Sequence, residues 1–239
     1  MPSDAAVHCW GAETLGKLGT GGSGIAAQPV RVNGPGFSTV SAAIDHSCGV
    51  TSGGQVYCWG YRASSALGAP AGGWSASPAA VGGSTAFRAI ATARTHSCAL
   101  STGDDAYCWG TDFVGALGTG TPIGTFGTPT AVAGGHRFRS LDTRQAHTCG
   151  IETATDRVMC WGRGLNGELG DGSTTDSPTP RFIAGGDAFT YVAVGLEHTC
   201  GVRSDGVGLC WGSGTAHQLG NGVLADAATP TPVASAARF

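Results

Sequence analysis

Four short runs, His46-Ser47-Cys48, His96-Ser97-Cys98, His147-Thr148-Cys149 and His198-Thr199-Cys200, recur along the chain at nearly even intervals. Each is followed by a second cysteine, Cys58, Cys108, Cys160 or Cys210, inside a Cys-Trp-Gly run. A fifth Cys-Trp-Gly run holds Cys9, with no cysteine upstream of it. Imidazole and thiolate together suggest zinc, but zinc sites usually draw cysteines from two to four residues apart. Here the paired cysteines are ten or eleven residues apart. Cys48 and Cys58 flank Gly53 symmetrically, and Cys98 and Cys108 flank Gly103 in the same way. A hairpin turning at those glycines sets each pair directly across from the other, close enough for a disulfide. The expected bridges are Cys48–Cys58, Cys98–Cys108, Cys149–Cys160 and Cys200–Cys210, with Cys9 unpaired within the chain. The third pair has one extra residue, which predicts a longer or bulged turn. The other reading of the same residues is four pairs of reduced, buried thiols.

The histidines stand one per unit, too far apart to share one ion, and are expected to hydrogen-bond backbone in their own or the neighbouring unit. Gly170–Asp176, "GDGSTTD", reads as a polar turn, because a calcium loop needs an acidic ligand at its far end. No Ser/His/Asp grouping, paired carboxylate or phosphate loop stands out. No catalytic residue, metal ligand or cofactor is therefore assigned.

The elements that position these residues repeat as well. The tryptophans Trp10, Trp59, Trp109, Trp161 and Trp211 fall about 50 residues apart. A Leu-Gly pair follows each at Leu18, Leu67, Leu117, Leu169 and Leu219, and a phenylalanine keeps register at Phe37, Phe87, Phe138, Phe189 and Phe239. Within one unit the strand signals are short: "FRAIAT" (87–92), "HSCAL" (96–100), "AYCWG" (106–110) and "TPTAV" (128–132), whose proline suits an edge. Four short strands per unit, radially repeated, describe a blade of a β-propeller. The tryptophans are expected in the core. The fold class is all-β: a single propeller domain over 1–239, with about five four-stranded blades. Its units are 1–36 (partial), 37–86, 87–137, 138–188 and 189–238. One blade is incomplete and split between the termini, with "VHCWG" and "TPTPV" sharing it.

Composition excludes several classes. The 239 residues include 42 glycines, 41% of them are hydrophobic, 12% are charged and the formal net charge is −3. That is too apolar for disorder and too glycine-rich for a helical bundle. No Lys/Arg run suggests nucleic acid, and no apolar stretch is long enough for a membrane helix. No signal peptide is visible. Disulfides nonetheless place the protein in an oxidising, extracellular or periplasmic compartment.

The pattern "HTCGV…CWG…LG" resembles the repeat of the regulator of chromosome condensation family, especially its cysteine-bearing bacterial versions, over essentially the whole chain. The family's asparagine three residues after the tryptophan is replaced throughout, by Glu13, Arg62, Asp112, Gly164 and Gly214. Its glycine three residues before the histidine survives only as Gly195. The resemblance implies roles such as nucleotide exchange on a small GTPase, β-lactamase inhibition or extracellular repeat domains. A cysteine-stapled chain of secreted type fits the exchange role poorly.

Residues that break the repeat cluster after each tryptophan and before each histidine, in loops that share a propeller face. Tyr61, Arg62, Trp74, Asp112, Phe113, Arg144, Arg163, Glu197 and His217 are residue types suited to protein contacts. The expected function is a non-catalytic binding module for a protein partner. The alternatives are an assembly subunit that self-associates through an open blade edge, and a secreted inhibitor similar to the propeller-type β-lactamase inhibitor.

Overall fold

The protein is described here from a computed structural model covering residues 6–22, 24–61, 65–68, 73–234 and 238. Strands alternate with glycine-rich turns throughout. β1 (His8–Glu13) and β2 (Gly24–Arg31) form a two-stranded sheet. Four sheets of four strands follow. The first holds β3 (Thr39–Ala42), β4 (His46–Val50), β5 (Val56–Tyr61) and β6 (Trp74–Ala80). The second holds β7 (Phe87–Thr92), β8 (His96–Ser101), β9 (Ala106–Asp112) and β10 (Gly124–Ala131). The third holds β11 (Phe138–Arg144), β12 (His147–Glu152), β13 (Val158–Gly162) and β14 (Ser177–Phe182). The last holds β15 (Phe189–Val194), β16 (His198–Arg203), β17 (Gly208–Gly212) and β18 (Ala227–Pro232). Each sheet runs in chain order, and its proline-bearing fourth strand sits at the edge.

The chain groups into two compact units. The first is residues 1–103, 107–111 and 125–130, and the second is 104–106, 112–124 and 131–239.

The cysteine hairpins form as the symmetry about glycine requires. Cys48 lies opposite Cys58, Cys149 opposite Cys160 and Cys200 opposite Cys210. All four expected bridges are present, including Cys98–Cys108. The extra residue between Cys149 and Cys160 is taken up in the turn, where Asp156 adopts a positive φ of 56°, and the ladder stays in register. Cys9 is a free thiol.

The core lies between sheets. In the first unit Trp109 packs with the Cys48 and Cys58 side of the preceding sheet, together with Val50, Val56, Leu67, Val81 and Phe87. In the second unit Trp211 packs in the same way with Cys149, Ile151, Val158, Cys160 and Leu169. The Cys48–Cys58 and Cys149–Cys160 disulfides are thus each covered by the tryptophan of a following sheet. The glycine after Trp59, Trp109, Trp161 and Trp211 lets the chain close tightly. Gly110 has a φ of 114°, and a Cβ there would lie 2.4 Å from the Thr95 carbonyl oxygen.

Two expectations are corrected. Trp10 is 63% exposed, and among the described residues of the first unit no sheet packs on its ring as the preceding sheet packs on Trp109. The incomplete blade is not shared with "TPTPV": those residues run through β18, where Thr231 pairs with Cys210 and completes the last sheet. The incomplete blade consists of β1 and β2 alone among the described residues.

Candidate functional site

The repeated triplet has three jobs, one per residue. The cysteine bridges its own hairpin. The hydroxyl reaches the sheet before it: Ser97 donates to the Ala66 carbonyl at 2.9 Å, and Thr199 to the Glu168 carbonyl at 3.0 Å. The tryptophan indole N–H grips the same carbonyl, Trp109 on Ala66 at 2.9 Å and Trp211 on Glu168 at 3.0 Å. The histidine reaches the sheet after it. His46 Nε2 lies 2.9 Å from Ser97 Oγ, and His147 Nε2 lies 2.9 Å from Thr199 Oγ1. Because each hydroxyl spends its proton on a carbonyl, it accepts from the imidazole, which fixes the proton on Nε2. His46 and His147 therefore bond neighbouring hydroxyls rather than the backbone groups expected of them.

Burial holds these rings neutral. His46 is pushed down to about 4 by burial, and His96 to about 3 by burial and by the nearby His46. His198, half-exposed on the last sheet, is lowered by burial too. The sign follows: the unfolded chain, titrating near 6.5, binds more protons than the folded one. Stability is full above about pH 6.5 and falls as pH drops through 4, by about 1.4 kcal/mol per pH unit per buried histidine. Asp142 and Glu168, raised by burial, act in the opposite sense at lower pH. The clean readout is therefore the ring proton shifts of His46 and His96. They should hold still from pH 8 to 5; movement near pH 6.5 would contradict a buried, hydrogen-bonded imidazole.

The loops that follow β9, β13 and β17 carry the residues that break the repeat. Asp112 is not at the surface as expected. It is 1% exposed, and its carboxylate accepts from the amides of Val114, Gly115, Ala116 and Leu117 at 2.7–3.1 Å. A short acidic side chain here caps its own loop. Glu13 does a similar job on Thr20. Where the chain has Gly164 and Gly214 instead, the cap comes from the far end of the loop. Asp176 and Asp226 accept from those glycine amides, each at 2.9 Å. Asp171, in the "GDGSTTD" turn, is engaged by Ser173 and Arg181.

In the second unit the remaining residues share one end of the sheets. The chain ends there are tied together: Arg163 N–H donates to the Ala146 carbonyl at 2.9 Å, and Thr148 Oγ1 to the Ala116 carbonyl at 3.0 Å. Phe113 is 65% exposed, and Arg144 is exposed at the end of β11. Arg163 bridges Glu197 at 3.0 Å and the buried Glu168 at 3.4 Å. Burial raises the Glu168 carboxyl despite that arginine. Beside the Arg163–Glu197 pair, Leu165 and Leu196 are both exposed. Sequence reasoning passed over these two leucines, although an apolar residue in an otherwise polar loop was the available signal. His217 is exposed with a positive φ of 59°, at the position held by Gly115 and Gly167 in the earlier loops.

In the first unit, Tyr61 and Trp74 are cross-strand partners and both are exposed. The Trp74 ring lies over Gly16, where a Cβ would come within 2.8 Å of it. Arg62 lies outside the described residues.

In the His46–Ser97 and His147–Thr199 pairs the hydroxyl donates to a carbonyl rather than to the imidazole, which is not the arrangement of a nucleophile and its base. Among the described residues no helix is long and apolar enough to cross a membrane.

Comparison with known proteins places the repeats. Residues 37–62 and 155–202 match models of the Regulator of chromosome condensation (RCC1) repeat. Over 96 residues the chain is 38% identical to the Ultraviolet-B receptor UVR8 of Arabidopsis thaliana, covering 38% of this chain and 21% of that protein. Human WBSCR16 superposes with a TM-score of 0.84 at 21% identity, over 97% of this chain and 63% of that one. Prp20p from Saccharomyces cerevisiae gives 0.86 at 20%, over 97% and 60%. The chain therefore spans less than two thirds of the length of these relatives. The structural likeness is one of fold, the β-propeller.

Proposed function

We propose, for a chain that belongs to the RCC1 repeat family, a non-catalytic role: it binds a protein partner through the loop end of its blades. One observation carries the reading. In the second unit, Leu165 and Leu196 stand exposed in the loops that hold the Arg163–Glu197 pair and Phe113 stands exposed in the loop after β9, while the repeat residues Trp161, Leu169 and Trp211 are fully buried. Exposed aromatic and aliphatic side chains beside an arginine are the composition of an interface core. The fold relatives support it in kind. Prp20p has been described for its binding to Gsp1p and histones, and yeast RCC1 (Prp20) was crystallised bound to Kap60. Four disulfides favour an extracellular or periplasmic setting for the encounter.

The test pairs two measurements on each variant. Phe113→Ala, Arg144→Ala and Leu165→Ala should each leave the urea midpoint nearly unchanged and weaken retention of the partner at least tenfold. Loss of the fold in these variants, or undiminished retention, would assign binding elsewhere.

A further inference from the structure

The loops of the second unit meet at two glycines. At Gly162 a Cβ would lie 2.5 Å from the Ala146 carbonyl oxygen and 3.1 Å from the Cα of Ala116. The loop after β9, the turn between β11 and β12 and the start of the loop after β13 therefore converge there. At Gly212 a Cβ would lie 2.6 Å from the Glu197 carbonyl oxygen and 3.2 Å from the Cα of Glu168. That brings the loop after β13 against the turn between β15 and β16. Phe113, Leu165 and Leu196 stand exposed on these loops, and so does Ile123. Its arm of the loop after β9 is tied to the arm that holds Phe113, where the Gly115 amide donates to the Pro122 carbonyl at 3.0 Å.

The charges at this end are unequally committed. Asp112 is held by four loop amides, and Asp176 and Asp226 each accept from a glycine amide. Asp171 is engaged by Ser173 and Arg181. Glu168, fully buried, gives Oε2 to the Asn166 amide at 2.7 Å. Gln218 does the same for the Ala216 amide at 2.7 Å, so an uncharged side chain suffices for that turn. What the carboxylate adds is Oε1, which lies 3.4 Å from Arg163 Nε. Arg163 gives Nη1 to Glu197 at 3.0 Å, and its Nη2 has no hydrogen-bond partner among the described residues. Arg144 is exposed and lies beyond ion-pair distance of every described carboxylate. That includes Asp142, whose carboxylate is committed to the Val194 and Thr143 amides. The carboxylates of this end have partners, and the uncommitted groups are cationic.

Resting on the loop-end reading above, we propose that Arg144 and Arg163 are the charged recognition points of that surface, and that the partner presents an acidic segment flanked by apolar side chains. One carboxylate of the segment pairs with Arg144. A second takes the Nη2 edge of Arg163 and displaces Glu197. Displacement falls on Glu197 and not on Glu168 because their side chains are 42% and 0% exposed. Released, Glu197 is hydrated at the surface, whereas moving Glu168 would strand a buried carboxylate. Glu168 meanwhile keeps the guanidinium by its Nε edge, so the free edge of a planar group points in one direction. The apolar flanks of the segment cover Phe113, Ile123, Leu165 and Leu196. A basic segment would find no uncommitted carboxylate there and would be repelled by Arg144.

The probes are two end-blocked peptides, Gly-Leu-Glu-Asp-Leu-Phe-Gly and the same peptide with lysines in place of the acidic pair. Each is titrated into the whole protein and followed in proton–nitrogen NMR correlation spectra. The acidic peptide should move the Arg163 Nε–H and the amides of Leu165 and Leu196. It should bind about fivefold more tightly than the lysine peptide, with the advantage shrinking as salt is added. Glu197→Gln, which releases Arg163, should tighten the acidic peptide about threefold, and Arg144→Gln should weaken it about threefold. Equal binding of the two peptides, or weaker binding of the acidic one in Glu197→Gln, would overturn the proposal. The loop-end reading is judged separately, by partner retention in Phe113→Ala. Retention lost there without any preference for the acidic peptide would sink the charge assignment and leave the loop end as the binding surface.

Discussion

Replacing Trp109 with alanine is expected to cost about 3–5 kcal/mol of stability. Three losses coincide there. The ring is fully buried against the Cys48–Cys58 side of the preceding sheet, it stacks at an angle on Phe87, and its N–H grips the Ala66 carbonyl. Removing it opens a cavity between sheets and leaves that carbonyl with the Ser97 hydroxyl alone. Trp10→Ala, at the same repeat position but exposed, should cost well under 1 kcal/mol. Urea unfolding of the two variants side by side gives the comparison. Equal losses would mean that the tryptophan stabilises its own sheet rather than the contact between sheets.

The second large effect concerns the disulfides. Removing one pair, as in Cys149→Ser with Cys160→Ser, should cost roughly 2–3 kcal/mol, since each bridge closes a loop of about a dozen residues in the unfolded chain. The four should not reduce together. Cys48, Cys58, Cys98, Cys108, Cys149 and Cys160 are fully buried, whereas Cys200 and Cys210 line an apolar cleft on the last sheet. Reductant reaches a bridge through access. Cys200–Cys210 should therefore open first under dithiothreitol, read by alkylation and peptide mapping. Simultaneous opening of all four, or first opening at Cys149–Cys160, would contradict the burial described.

Strand identity, the disulfide pairing and the repeat register were legible in the sequence because each rests on local spacing. Ten residues centred on glycine determine a hairpin, and a period of about 50 determines the unit. The contacts between units were not legible. Nothing in "HSC" says that its histidine and its serine bond to opposite neighbours, because both partners lie tens of residues away. Trp10 was misplaced for the same reason: burial at this repeat position depends on contact with another sheet, not on the residues beside it. Among the candidate contacts, Asp112 and Phe113 are adjacent in sequence and opposite in fate. The aspartate turns inward because four loop amides need an acceptor. The phenylalanine stays outside, 65% exposed, while Ala116 and Leu117 of the same loop are buried. Leu165 and Leu196 are exposed as well, which composition alone does not reveal.

The division between buried repeat residues and exposed loop residues is tested most directly by site-specific photocross-linking at the two ends of the same sheets. A benzophenone side chain is placed at Phe113 or Leu165 on the loop end, or at Ala154 in the exposed turn between β12 and β13 at the opposite end. Irradiation in the presence of the source organism's proteins should give one covalent protein adduct from Phe113 and Leu165, and none from Ala154. The same adduct from all three positions, or from Ala154 alone, would contradict a partner bound through the loop end.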